Sequence, residues 1–410
     1  MPSKKITIIR LTTRLFPDPN AGGPAKYAFD LSNFVNNHHF EMVNISSNPN
    51  QEKTKYQKIS SNFEIHRLPV KGLDMNSNSK WNQIWFSLRF TAYAIISILR
   101  IHRKKRIALI HADSPAITGV VCLFFNLLCR IPFVYTYHGV DFKFRFEIFL
   151  YKLTNTKTSK IIIVSRRIQE YFQYLGWNFG SKLEYIPLGI KIPEKPYHYT
   201  TLNDKDVKAK IISHLNLSPY IKSDDKIILY VGRMIFEQKV QGMIDFLAAF
   251  EKFLFSFPEP ERSYYKLLII GDGIYRSKLE IAYQNCTQKS NVFLLGYRSN
   301  LEDFYAIADL TVLVSYVEGF PNVILESLAS SVPCLCSSVG EMKEMTGPAG
   351  FIVEPGNRDQ MISCLQDFFN PKRDRKILAQ QAFNWVKSHF DWKSIAKKYQ
   401  QLYLECIYDE

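Results

Sequence analysis

Nothing in the sequence pairs its cysteines. There are seven, Cys122, Cys129, Cys286, Cys334, Cys336, Cys364 and Cys406, an odd number with no C-x-x-C spacing. Most lie in apolar runs, so reduced core thiols are expected in place of a disulfide frame or thiolate metal site. Long apolar runs are also missing. The N-terminal run Ile6 to Ile9 is broken by Arg10, too early for the core of a signal peptide, and a cytoplasmic location is the expectation. The segment Ile84 to Ile101 contains Arg89 and Arg100, and Ile117 to Cys129 falls short of the ~20 apolar residues that a spanning helix needs. Neither is expected to cross a membrane. Acidic residues are outnumbered, 38 against 52 lysines and arginines, for a formal charge of +14. That balance favours partners carrying phosphates or acidic membrane surfaces. The cations are scattered, however, with no recognition helix or aromatic RNA motif, so nucleic acid is not an expected partner. The one D-x-D triplet, Asp204 to Asp206, lies in a polar stretch and not at the end of an apolar strand, so no metal site is expected. No period of twenty to fifty residues points to a solenoid.

What is present is a repeated unit. Short apolar runs such as "IALIHAD", "IPFVYTYHG", "IIIVSRR", "IILYVGR", "LLIIGDG", "VFLLGY" and "LTVLVSYVEG" end abruptly in a polar residue or glycine and give way to a helical period. Continuous apolar strands alternating with helices imply an α/β protein with parallel sheets covered on both faces. With 410 residues, 46% of them apolar, the chain supports two domains. They are placed at 1–195 and 226–384, joined by a polar, lysine-rich linker or insertion at 196–225. A final helix at about 385–410 either closes the second domain or crosses back to the first. In such sheets ligands bind at the carboxyl ends of the strands, where the polar terminations gather.

One such termination, "SYVEGFPNVILES", sets Glu318 and Glu326 around a Gly-Phe-Pro-Asn turn. Pro321 suits the start of a helix, and the free amides of Phe320, Asn322 and Val323 would present the positive end of its dipole to a phosphate. Gly319 would allow close backbone approach. Carboxylates beside a phosphate make sense if they accept hydrogen bonds from hydroxyl groups, which points to a nucleotide sugar. Taken alone, Glu318 reads as a solvated loop residue and Glu326 as an exposed helix residue. Arg233 and Lys239, just after another strand, could neutralise a diphosphate and shift the reading towards a site.

The ordered motifs "AGGPAKYAFDLSNF", "IPFVYTYHGVD", "YVGRMIFEQK", "LLIIGDGIYRSKLE" and "EGFPNVILE" resemble those of the retaining glycosyltransferases of family 4, over most of the chain. The resemblance implies the GT-B fold, two Rossmann-like domains with parallel sheets facing across a cleft. It implies a nucleotide-sugar donor, a glycan or lipid-linked acceptor, no separate cofactor and no metal. Glu326 would bind the ribose and Glu318 the transferred sugar, with Arg233 and Lys239 on the leaving diphosphate. His138 would touch the donor sugar, Gly22 and Gly23 would approach the sugar phosphate as a loop before the first helix, and Asp141 would line the acceptor side or orient its loop. Tyr297 and Arg298 would border the base. The resemblance favours front-face transfer, the leaving phosphate taking the acceptor proton. One departure is that six steps separate Arg233 from Lys239 where the family has five, which puts the position of Lys239 in question.

Two other functions have some signal in the sequence. A nucleotide-dependent dehydrogenase is suggested by "GDGIYRS", but Arg276 takes the last glycine position of G-x-G-x-x-G. A noncatalytic nucleotide-sugar-binding module of the same fold is opposed by the intact Glu318, Glu326 and Arg233. For the basic segment Leu99 to Ile107 two readings stand: a peripheral contact with acidic lipids, or a core-packed helix with a solvated basic end.

Overall fold

The computed structural model describes residues 5–13, 15, 22–37, 39–48, 56–71, 80–113, 115–138, 145–194 and 204–408. The chain divides into two compact units, one made of residues 1–189 and 392–410, the other of 190–391.

The first unit carries a sheet in the order β3-β4-β2-β1-β5-β6-β7-β8, with β1 at Ile6–Leu11, β2 at Phe40–Ser46, β3 at Tyr56–Ser60, β4 at Phe63–Arg67, β5 at Ile107–Asp113, β6 at Phe133–Tyr137, β7 at Lys160–Ile163 and β8 at Leu183–Tyr185. Every pairing is parallel except β3 with β4 at the edge. Alternate strand residues are buried on opposite faces. Ile9, Ile110 and Phe133 pack with the helices Lys80–Lys104, Pro115–Cys129 and Arg145–Lys157. Ile8, Leu109 and Val134 pack with the helices Gly22–Val35 and Trp392–Tyr408. Burial on both faces is why these strands are apolar without alternation.

The second unit carries an all-parallel sheet in the order β11-β10-β9-β12-β13-β14, with β9 at Lys226–Val231, β10 at Tyr265–Ile270, β11 at Val292–Gly296, β12 at Leu310–Leu313, β13 at Cys334–Ser337 and β14 at Gly350–Val353. On β9, Ile228 and Tyr230 face one core while Ile227, Leu229 and Val231 face another.

Of the stretch 196–225, expected from its composition as a linker or insertion, residues 204–225 belong to this unit's core. Ile212, Leu217 and Ile221 pack against Ile227, Leu229 and Phe304. The polarity that suggests a linker is internally paired: Lys208 is buried and its ammonium donates to the Asp225 carbonyl at 2.9 Å, while the Asp225 carboxylate accepts from the Lys222 amide at 2.9 Å. Asp204, the first member of the D-x-D triplet, caps the helix Lys205–His214 by accepting from the amides of Asp206 and Val207.

The C-terminal segment is two helices. Arg375–Phe390 packs in the second unit, and Trp392–Tyr408 buries Trp392, Ile395, Tyr399 and Tyr403 in the first. Gly189 is needed where the chain leaves the first unit, because a Cβ there would lie 2.5 Å from the Trp392 ring. All seven cysteines are free thiols. Within the helix Lys80–Lys104, the stretch Trp81–Lys104 is long and apolar enough to cross a membrane by length and composition. Arg89 and Arg100 do not take it out of that range, but one side of the helix, from Phe86 through Ile101, packs on the sheet.

Candidate functional site

In the second sheet the strand order reverses beside β9, which lies between β10 and β12. The carboxyl ends of β9 and β12 therefore flank a topological switch point, where α/β sheets open a crevice for ligands. The loop after β9 supplies Arg233 and leads into the helix Glu237–Leu254, which carries Lys239. The loop after β12 supplies Glu318 and Gly319. The Lys239 ammonium lies 2.8 Å from the Glu318 carboxylate, so the six-step spacing does not carry Lys239 away. Gly242 explains the approach: a Cβ there would come within 2.1 Å of the Val314 carbonyl, so only glycine lets the helix lie this close to the end of β12. Lys239 sits one turn earlier on the same side.

Glu318 is 7% exposed. Burial pushes its carboxyl above the ordinary range, and the Lys239 charge and hydrogen bond pull it part of the way back. Arg233 is exposed and makes no ion pair among the described residues. Sequence reasoning assigned Lys239 to a phosphate and Glu318 to hydroxyls as separate tasks; the structure pairs them with each other.

Glycines brace this edge. Gly271 and Gly273 have φ of +147° and +155°, and a Cβ on Gly271 would lie 1.9 Å from the Gly232 carbonyl. The "GDG" turn thus packs its backbone against the loop after β9, with the Met234 amide donating to the Asp272 carbonyl. Gly340 holds the Glu318–Gly319 turn from the other side, and the Glu341 amide donates to the Gly319 carbonyl at 3.0 Å. Gly319 itself faces open space.

The helix Asn322–Ala329 begins beyond Pro321 with no side-chain cap, which leaves the turn of Phe320, Asn322 and Val323 available for an anion. Glu326 is half-buried on this helix and accepts from the Tyr305 hydroxyl at 3.3 Å. Tyr297 and Arg298 lie exposed after β11.

In the first unit β1 lies between β2 and β5, a second switch point. His138 follows β6, and its Nε2 lies 2.9 Å from the Asp113 carboxylate at the end of β5. The same Asp113 oxygen accepts from Arg10 on β1 at 2.5 Å. Arg10 is fully buried; desolvation is the largest single influence and opposes its charge, but Asp113 together with Tyr403, Tyr27 and Tyr399 more than offsets it, and the guanidinium stays ionised. Tyr27, from the helix Gly22–Val35, sets its ring edgewise to His138 at 4.9 Å and under Arg10 at 5.6 Å. Below this cluster His111 bridges the Thr136 hydroxyl at 2.7 Å and the Tyr403 hydroxyl at 2.5 Å. Burial, with Arg10 and His138 nearby, keeps it neutral by driving its pKa well below the usual value.

Arg10 and Asp113 were missed as functional residues. The available signal was an aspartate and a histidine ending two apolar runs that pair as adjacent parallel strands. Gly22 and Gly23 lie in the first turn of the helix and not in a loop before it, which corrects the expectation. Asp141 lies outside the described residues. No group of three or more histidine, cysteine, aspartate or glutamate side chains among the described residues is arranged to hold a metal ion.

The family described as Glycosyl transferases group 1 matches residues 218–385, and Glycosyltransferase Family 4 matches residues 21–192. Among relatives, the Bacillus subtilis protein TuaC, named as a teichuronic acid biosynthesis glycosyltransferase, is 27% identical over 70% of this chain and 68% of its own length. An Escherichia coli UDP-Gal:alpha-D-GlcNAc-diphosphoundecaprenol alpha-1,3-galactosyltransferase is 23% identical over 77% of this chain and 79% of its own. Among solved structures, sucrose-phosphate synthase from Thermosynechococcus elongatus superimposes with a TM-score of 0.74 at 19% identity, covering 98% of this chain and all of the other. Two consecutive family matches, one in each parallel-sheet unit, account for most of the sequence, and the chain belongs to the group 1 glycosyltransferases of family 4, with the GT-B fold.

Proposed function

We propose that the protein moves a hexose-type sugar from a nucleotide sugar to a hydroxyl of a glycan or lipid-linked acceptor, with retention of anomeric configuration and with no metal or separate cofactor. The observation that carries this reading is the Lys239–Glu318 pair at the switch point of the second sheet, beside an uncapped helix N-terminus. A buried carboxylate and an ammonium in contact offer acceptors for sugar hydroxyls and donors for a diphosphate at one place. In this reading Glu318 holds the transferred sugar, while Lys239 turns one of its three donors to the leaving diphosphate together with Arg233. The amides at Phe320, Asn322 and Val323 add the helix dipole, and Gly319 leaves room for the ligand. Glu326 accepts from the ribose hydroxyls, and Tyr297 and Arg298 border the base.

In the first unit, Asp113 fixes the His138 ring by accepting its Nε2 proton, and Arg10 fixes Asp113. His138 then meets the donor sugar through its remaining polar atoms, and the helix start at Gly22 and Gly23 approaches the sugar phosphate. Asp141 is assigned to the acceptor side. The departing phosphate oxygen takes the proton of the acceptor hydroxyl as the new bond forms on the same face, so no protein nucleophile is required. The E. coli relative is named for a diphosphoundecaprenol acceptor, which supports a lipid-linked acceptor and a place at the cytoplasmic face of a membrane.

The test is transfer from a panel of nucleotide sugars to lipid-linked acceptors, with the product's anomeric configuration read by NMR and the reaction repeated with EDTA. Retention and unchanged turnover with EDTA are expected. An inverted product, or activity lost to EDTA and restored by manganese, refutes the mechanism.

A further inference from the structure

The helix Lys80–Lys104 is apolar on two opposite sides. Phe86, Phe90, Ala94, Ile98 and Ile101 pack on the first unit's sheet. On the other side Trp81, Ile84, Trp85 and Leu88 follow the i, i+3, i+4, i+7 spacing of one helix face and are 72%, 49%, 62% and 59% exposed. The stripe continues past Ile96 and ends at exposed Arg103. A surface helix normally turns a polar face to water; here the exposed Arg89 and Arg100 share the water side with this apolar stripe.

Its neighbours on the same side of the sheet repeat the pattern. Pro115–Cys129 buries Val121, Cys122 and Phe125 but exposes Leu127 and Leu128 at 69% and 67%, and Arg145–Lys157 exposes Phe149 at 60%. Soluble proteins rarely leave a contiguous apolar patch of this kind open without a function.

We infer that the outward side of these three helices is a membrane-docking face, which seats its tryptophans, leucines and Phe149 in the interface of an anionic bilayer. Charge selects this occupant. Glu147 is the one acidic residue in the sequences of the three helices, whereas Arg89, Arg100, Arg103 and Lys104 lie exposed along the first of them. A bilayer with anionic headgroups complements that arrangement, and tryptophan suits the boundary between headgroup and hydrocarbon. A second copy related by twofold symmetry would set the same basic patch against itself. The buried side of the first helix is committed to the core, so the unit lies on the bilayer and does not thread it. The contact is apolar first and electrostatic second, which distinguishes it from a polybasic tether at Leu99 to Ile107.

The inference rests on the membrane location proposed above but not on sugar transfer, so binding is measured without turnover. The full chain is sedimented with vesicles of phosphatidylcholine alone and with added phosphatidylglycerol, at low and high salt, beside Trp81→Ser/Trp85→Ser, Phe149→Ser and Arg103→Gln/Lys104→Gln. Thermal melts confirm folding. Wild type should bind the anionic vesicles, and binding should fall but persist at high salt. The double tryptophan variant should partition roughly tenfold or more weakly, with Phe149→Ser falling in the same direction if the double variant folds poorly. The charge variant should lose chiefly the salt-sensitive part. Binding by folded tryptophan and Phe149 variants equal to wild type overturns the inference. So does absence of vesicle binding while transfer to a soluble acceptor persists, and so does a lipid-free dimer, seen by light scattering, that these substitutions dissolve.

Discussion

Replacing Lys239 by alanine leaves the Glu318 carboxylate, 7% exposed, without the ammonium now 2.8 Å away. Breaking a fully buried ion pair costs about 3–5 kcal/mol. Lys239 is 24% exposed, so solvent reduces the figure here to about 1–3 kcal/mol. The sign with pH follows from Glu318. Its folded-state pKa is raised above the ordinary carboxyl value by burial, so the folded protein holds this proton more tightly than the unfolded chain. That favours the fold at acid pH and is lost as pH rises through the folded pKa. Without Lys239 the shift grows. The variant should therefore melt below wild type at neutral pH, and the gap should narrow below the ordinary glutamate pKa, where Glu318 is protonated in both. In a Glu318→Gln background the alanine substitution should cost little stability, giving a coupling of about 1–3 kcal/mol in a double-mutant cycle. Turnover should behave differently. Loss of a donor to the leaving diphosphate is worth about a hundredfold or more in kcat, and Glu318→Gln should not restore it. Calorimetry across pH and steady-state kinetics on the four proteins provide the test. A Lys239→Ala enzyme with near wild-type kcat, or a stability loss that Glu318→Gln leaves unchanged, refutes the reasoning.

Glu326→Gln should raise KM for the nucleotide sugar roughly tenfold with a smaller change in kcat, from a weakened hydrogen bond to the ribose; a selective fall in kcat contradicts the assignment. Asp113→Asn should destabilise the protein by about 3–5 kcal/mol, because it leaves the fully buried Arg10 charge without its carboxylate. His138→Ala should cost much less stability, and comparable losses in chemical denaturation would contradict the ordering of this cluster. Gly271→Ala and Gly319→Ala form a contrasting pair. The first places a Cβ 1.9 Å from the Gly232 carbonyl at φ +147°, for a loss of about 2 kcal/mol or more. The second meets no protein atom and should leave the melting temperature unchanged while weakening donor binding by titration calorimetry.

Both sheets were legible because their strands are buried on two faces and so appear as unbroken apolar runs. The polar residues that end those runs, among them Arg233, Glu318 and His138, could be placed at the functional edge for the same reason. Arg10 could not. It reads as an interruption of an apolar run, and its partner Asp113 is 103 residues away, on a strand that becomes a neighbour only after crossovers fold. The lysines of 204–225 suggested a linker because composition does not reveal that Lys208 is buried and bonded. The helix boundary at Asp391 has no glycine or proline to mark it. Gly22 and Gly23 resembled a turn because glycine is a poor helix former. The exposed apolar side of Lys80–Lys104 was hidden as well, since a sequence does not tell which of two apolar faces the core will take.

The return of the chain at Trp392 has a consequence for biosynthesis. Residues 190–391 form one uninterrupted unit, whereas the first unit is closed by a helix made after all of them. During translation Ile8, Leu109 and Val134 wait for Tyr399 and Tyr403 to complete the cover that Gly22–Val35 begins. The first unit is thus completed only after residues 190–391 have been made, and until the helix Trp392–Tyr408 docks, the sheet face it shares with Gly22–Val35 stays partly open to chaperones.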